Sequence, residues 1–199
     1  MKRYSILLFS FFIINTSNAQ SFISGMYDVG LTLAYNKSSQ KITGCYENAT
    51  GYDEQTKSPR FTCIFYIEGK VKGNVVDIIT YYPEEKFSDT ISGKLEIIKD
   101  KTISIKLRED HGGCWNVEQF SDETKTIGLS QAINVSEVKY VISNKAYFYA
   151  QKNNKTMLKK YVVKNDFVYV EKIEGGWAYC SFYGNKITNG WIKLENLNK

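Results

Sequence analysis

The string His111-Gly112-Gly113-Cys114 holds the ingredients of thiol catalysis, because an imidazole beside a thiol can take its proton and leave a thiolate nucleophile. The chain has a single histidine. It precedes the cysteine by three residues, in surroundings that alternate apolar and polar residues. The competing reading of these four residues is a glycine-enabled turn entering a disulfide-bonded strand. Carboxylates offer a second chemistry. Asp28, Asp77 and Glu118 lie in or beside apolar strands, and a glycosidase would need two of them to converge. Asp53 with Glu54, and Glu84 with Glu85, are adjacent acids of the kind that sit on solvated loops and only weakly resemble a hard-cation site. With one histidine and no C-x-x-C or H-E-x-x-H spacing, the sequence predicts no metal centre and no cofactor.

The other residues able to do work are aromatic. Tyr147, Tyr149, Trp177 and Trp191 are candidates for a ligand-binding groove of the type that holds extended peptides, and core packing is the alternative use of the two tryptophans. Aromatic residues make up 15% of the chain, with fifteen tyrosines and eleven phenylalanines against two prolines, a composition suited to pleated, half-buried surfaces.

The elements that must position these groups read as strands. From Gly25 to about Phe120 apolar residues recur at every second position: Tyr27, Val29, Leu31, Leu33 and Tyr35; then Ile42, Gly44 and Tyr46; then Phe61, Cys63, Phe65 and Ile67. Asn74 to Tyr82 is rich enough in Val, Ile and Tyr to be covered on both faces. Ile91 to Ile97 and Ile103 to Leu107 form a hairpin about Lys99, Asp100 and Lys101, and a last strand is predicted at Cys114 to Phe120. The predicted fold class is all-β: an antiparallel barrel or sandwich-like meander over residues 20–120, followed by a smaller β module. Ala49 to Arg60 is the longest loop. Ser121 to Glu137 loses the alternation and reads as a linker, with room for a short helix around Leu129 to Ile133.

The N-terminus reads as an export signal. Lys2 and Arg3 precede the apolar run Ile6 to Ile14, and Ser17 and Ala19 occupy the positions of a small-residue cleavage site, so the mature chain is expected to begin at Gln20. The apolar core is about nine residues where a bilayer span needs roughly 20, so no membrane anchor is expected after cleavage. Removing Lys2 and Arg3 takes the net charge from +5 to +3, too mild for a nucleic-acid partner. The densest basic cluster is Lys152, Lys155, Lys159, Lys160 and Lys164, with attraction to an anionic polymer as its functional reading and a solvated loop as the other.

From Val138 a different rhythm appears. Lys145-Ala-Tyr-Phe-Tyr149 and a polar loop lead to Lys160-Tyr-Val-Val-Lys-Asn-Asp166 and Phe167-Val-Tyr-Val-Glu171. Gly175-Gly-Trp-Ala-Tyr-Cys180 follows, and Gly190-Trp191-Ile192-Lys193-Leu194 closes the chain. This succession over residues 138–199 resembles the bacterial SH3-like domain family. Asn165 stands where the family usually has glycine, and the long loop lacks the proline often found near Gln151 to Asn153. The resemblance implies a small barrel that recognises peptidoglycan, a cell-wall peptide or a protein partner. It also implies that Cys180 occupies a buried apolar place. Cys63 shares a face with Phe61 and Phe65, whereas Cys45 alternates with Lys41, Thr43 and Glu47, so a Cys63–Cys114 disulfide is predicted, with Cys180 a buried thiol and Cys45 unassigned. Papain-like cell-wall endopeptidases carry such modules, but their cysteine opens a helix and their histidine comes later. The expectation is therefore an exported, non-enzymatic, periplasmic or secreted binding protein of the cell envelope, in a sharper form an inhibitor of a cell-wall-degrading enzyme. The alternatives are a cell-wall hydrolase using Cys114 and His111, and a structural component of the envelope.

Overall fold

In the computed structural model, residues 22–86, 88–99 and 101–199 are described; the stretch read as an export signal, with its expected cleavage site, lies outside them. Eight antiparallel strands close a barrel: β1 (Gly25–Tyr27), β2 (Leu31–Asn36), β3 (Lys41–Asp53), β4 (Ser58–Lys72), β5 (Val75–Tyr81), β6 (Thr90–Lys99), β7 (Thr102–Leu107) and β8 (Lys125–Ala132), with β8 returning to β1. The period-two pattern explains the interior. Leu31 and Leu33, Ile42 and Tyr46, Phe65 and Ile67, Leu95, Ile103 and Ile105 all point into one buried core. Two inward positions must be glycine: a Cβ on Gly44 would lie 2.5 Å from the Thr32 carbonyl, and one on Gly93 2.7 Å from that of Lys106.

Three sequence expectations change here. The face drawn from Tyr27 to Tyr35 is interrupted by a short 3-10 turn, Asp28–Gly30, with Val29 at φ 60° and 40% exposed. This break frees β1 to pair β8 on its other side and close the barrel. No strand forms at Cys114 to Phe120. Cys114–Asn116 is a 3-10 turn, and the Asp110 carboxylate accepts the Phe120 and Ser121 backbone N–H groups to hold the returning chain. The closing strand comes instead from the stretch read as a linker. In β8 only Ile127 is fully buried, and the other side chains face outward or are partly covered, so a strand secured by backbone pairing to β1 and β7 leaves little apolar alternation to see.

The remaining chain forms a six-stranded antiparallel sheet from β9 (Glu137–Tyr140), β10 (Lys145–Tyr149), β11 (Met157–Val163), β12 (Phe167–Glu174), β13 (Trp177–Tyr183) and β14 (Ile187–Lys193), in the order β11-β10-β14-β13-β12-β9. Its core holds Ala146, Phe148, Val162, Val168, Val170, Ala178, Cys180 and Ile192. Asn165 is left-handed (φ 73°) in the turn between β11 and β12, where Asp166 accepts the Val163 N–H through its side chain. Gly190 lies inside β14, where a Cβ would press within 3.0 Å of the Tyr149 carbonyl of β10.

The two halves share a third core. Ala34, Cys45, Tyr66 and Tyr81 on the outside of the barrel pack against Val138, Tyr140, Phe167 and Tyr169 of β9 and β12. Hydrogen bonds lock the seam: Tyr66 Oη donates to the Val138 carbonyl (2.7 Å), and the Val138 N–H donates to Thr43 Oγ1 (2.7 Å). At the far end Lys164 and Asn165 reach Glu84.

Candidate ligand-binding site

Cross-strand register fixes which side chains share the outer face of the second sheet. Tyr149 of β10 opposes Trp191 of β14, Trp191 opposes Tyr179 of β13, and Tyr179 opposes Lys172 of β12. Their neighbours Phe148, Ala178, Cys180 and Ile192 point the other way into the core. The face is thus an aromatic row. Tyr149 and Trp177 meet edge-to-face at 4.9 Å between ring centroids, as do Tyr179 and Trp191 at 5.3 Å. Tyr147 stands further along β10 and pairs with Tyr161 at 5.7 Å. Of the four residues picked from sequence, Tyr149, Trp177 and Trp191 come together, while Tyr147 belongs to a neighbouring pair. Tyr179 and Tyr161 were missed. Tyr179 was legible, since it alternates in step with Trp177.

Lysines lie over these rings. Lys152 and Lys172 sit 5.2 and 5.3 Å from the Trp191 ring centroid, Lys193 is 5.9 Å from that of Trp177, and Lys145 is 4.6 Å from that of Tyr161. Lys152 is presented by a loop that holds its shape without the missing proline. Asn153 accepts the Lys155 N–H, and the Thr156 hydroxyl bonds the Gln151 and Asn153 carbonyls.

Trp177 also lines a cleft of about 890 Å³ where the second sheet meets the barrel. Ser39 and Lys41 form the barrel wall; Lys139, Lys193 and Asn198 form the other. Lys139 is buried, donating to the Asn198 carbonyl at 2.9 Å and pairing with Glu137 at 3.2 Å. Lys41 pairs with Glu68 at 3.0 Å. A polar pocket of about 390 Å³ opens on the other flank, with Glu47, Asp166 and Tyr169 in its lining. Burial there, reinforced by the charge of Asp166, raises the pKa of Glu47 above the ordinary carboxylate value.

The thiol chemistry read from residues 111–114 has no free thiol. Cys114 is at bonding distance from Cys63, with Cα atoms 4.6 Å apart, and the buried His111 stacks on Phe65 and hydrogen-bonds Thr80 Oγ1 through Nε2 at 2.8 Å. The two free thiols are buried. Cys45 lies in the seam, 3.7 Å from the Tyr169 hydroxyl, and Cys180 lies in the sheet core; burial pushes each up to about 12. The carboxylates expected in or beside strands go to separate partners: Asp28 to Ser130, Asp77 to Lys94 and Glu118 to Lys125. Among the described residues no group of three or more His, Cys, Asp or Glu is placed to hold a metal ion.

No known family model, curated protein or solved structure matches this chain.

The stretch read as the loop Ala49 to Arg60 gives the surface a second feature. It is the end of a long hairpin. Beyond Tyr46 and Tyr66 the strands β3 and β4 pair only with each other, through Asn48↔Cys63 and Thr50↔Phe61 to Asp53↔Ser58. The Cys63–Cys114 bridge and a 2.7 Å bond from Thr50 Oγ1 to the Asn116 carbonyl tie this projection to the turn that carries Trp115. Trp115 is 72% exposed, Tyr52 60% and Phe61 41%.

Proposed function

We propose that this is an exported, non-enzymatic binding protein of the cell envelope, whose outer sheet face recognises peptidoglycan or a cell-wall peptide. One observation carries the reading: the rings of Tyr149, Trp177, Tyr179 and Trp191 lie together on a single sheet surface, and Trp177 leads into the 890 Å³ cleft. Rings held at fixed spacing on a rigid sheet offer contact area at little entropic cost, and clefts of this size at the junction of two units are where ligands most often settle. The motif order that resembles bacterial SH3-like domains supports the same reading.

The test is co-sedimentation of the full mature chain with purified cell-wall sacculi, comparing it with Trp177→Ala and Trp191→Ala. Both tryptophans are partly exposed, so the variants keep their fold; each is expected to weaken binding roughly tenfold, given what buried aromatic contacts supply. Unchanged sedimentation of both variants refutes the assignment of this face.

The braced hairpin favours a second reading, a protein partner, and specifically inhibition of a cell-wall-degrading enzyme by a projecting apolar wedge. Here the decisive measurement is enzymatic clearing of a sacculus suspension. The wild-type chain slows it and Trp115→Ala does not; equal rates with and without wild-type protein exclude the idea for that enzyme.

A further inference from the structure

Charge divides unevenly between the halves. Residues 138–199 hold eleven lysines, no arginine and four acids, a net of +7, while residues 20–137 hold thirteen basic and seventeen acidic residues, a net of −4. The modest total hides a cationic module on an acidic one. On the cationic module, two lysines converge on one ring. Lys152 and Lys172 both lie against Trp191, and both also contact a single carboxylate: Glu174 is 2.5 Å from Lys152 Nζ and 3.1 Å from Lys172 Nζ. Glu174 ends β12 just before Gly175 and Gly176, both left-handed, and its side chain is 41% exposed. It is an occupant that an incoming group can displace. The local balance is two ammonium groups to one carboxylate, against an aromatic surface.

We propose that the Trp191 surface is a carboxylate-recognition subsite, in which a ligand carboxylate takes the position of the Glu174 carboxylate between Lys152 and Lys172 while the apolar part of the ligand lies on the adjoining ring of Tyr179. This rests on the reading that the face binds cell-wall polymer, and it names the chemistry recognised: carboxylates carried on wall peptides rather than the uncharged sugar hydroxyls. Charge complementarity argues for it, because an ammonium pair poised over a ring gains little from a neutral hydroxyl and much from an anion. The pull of Lys152 and then Lys172 on Glu174, which holds its carboxyl below the usual range, shows that the pair already stabilises a carboxylate there.

The experiment uses the full mature chain and two probes, native sacculi and sacculi whose carboxylates have been converted to amides with carbodiimide and glycinamide. Binding to the amidated sacculi is expected to fall roughly tenfold or more, as is binding of a Lys152→Gln/Lys172→Gln variant to native sacculi, because charge-assisted contacts are lost. Glu174→Gln removes the internal competitor and is expected to bind native sacculi several-fold more tightly, with the gain shrinking at about 0.5 M salt as screening shortens the reach of the charges. Equal binding to native and amidated sacculi overturns the carboxylate subsite while leaving the wall-binding reading intact, and so does weaker binding by Glu174→Gln. Absence of binding to either probe overturns both. The three substituted side chains are surface residues, and unchanged far-ultraviolet circular dichroism verifies that the variants are folded.

Discussion

Reduction of the Cys63–Cys114 bridge isolates one term in the stability of the barrel. The two cysteines are 51 residues apart in sequence, and the loop they close contains β5, β6 and β7. Restricting an unfolded chain by a loop of that length removes about 14 cal/mol/K of entropy, or about 4 kcal/mol at room temperature. Reduction keeps both sulfur atoms in place, so it removes the crosslink without opening a cavity, and the buried free thiols Cys45 and Cys180 have no bond to lose. The assay is equilibrium urea unfolding of the wild-type chain with and without reductant. With a slope of about 2 kcal/mol/M for a chain of this size, the midpoint should fall by about 2 M. Cys114 also anchors the turn that carries Trp115 against the hairpin, so the fluorescence of that exposed tryptophan should change on reduction before global unfolding. A midpoint shift below about 0.5 M would refute the reasoning, because it would place the bridge among contacts that already close the loop without it.

Other consequences are open to measurement. Cys45 and Cys180, buried and pushed up to about 12, should be silent to a thiol reagent at neutral pH in the native chain and should both react once denaturant is added; labelling of either in the native state would contradict their burial. Burial raises the pKa of Glu68, but Lys86 and Lys41 outweigh it and hold the carboxyl below its ordinary 4.5. A carboxyl depressed in the folded state stabilises above its unfolded pKa and loses that contribution as pH falls through the folded value, so Glu68→Gln should lower the urea midpoint at pH 7 and flatten its acid limb. Glu47 runs the opposite way. Its raised pKa means that its charge opposes folding at neutral pH, so Glu47→Gln should raise the midpoint there and make no difference in acid. Val138→Asp places a charge among Tyr66, Tyr140 and Phe167 at a fully buried position; calorimetry should then resolve two transitions where wild type gives one, at a cost of about 3–5 kcal/mol.

Much of this molecule is legible in its residues. Period-two alternation locates β2 to β7 because each buries one face in a common core, and the same alternation separates Cys63 from Cys45 and so leads to the observed bridge. The failures have physical causes. β8 carries a single fully buried side chain, so its identity lies in its backbone pairing. The seam was hidden for a different reason. Thr43 and Cys45 look like a solvent face beside Lys41 and Glu47, yet both are buried because β9 and β12 cover them, and one-dimensional alternation cannot distinguish a polar face in water from one against another sheet. At the candidate site the aromatic residues and Lys152 were visible, but the meeting of Lys152 and Lys172 over Trp191 was not, since Lys152 comes from a loop and Lys172 from beyond a bulge in β12.

The seam also governs how freely the two halves can be recombined by evolution. Transferred to another chain, residues 138–199 would carry Tyr140, Phe167 and Tyr169 bare to water, and the barrel left behind would expose Tyr66 and Tyr81. Variation is therefore cheap on the outer face, where the exposed Lys152, Lys172 and Glu174 pair with each other beside Trp191. On the inner face it is expensive, since a change at β9 or β12 needs an answering change on the barrel. Descendants of this sequence should diversify one side of the sheet while the other changes only in matched pairs.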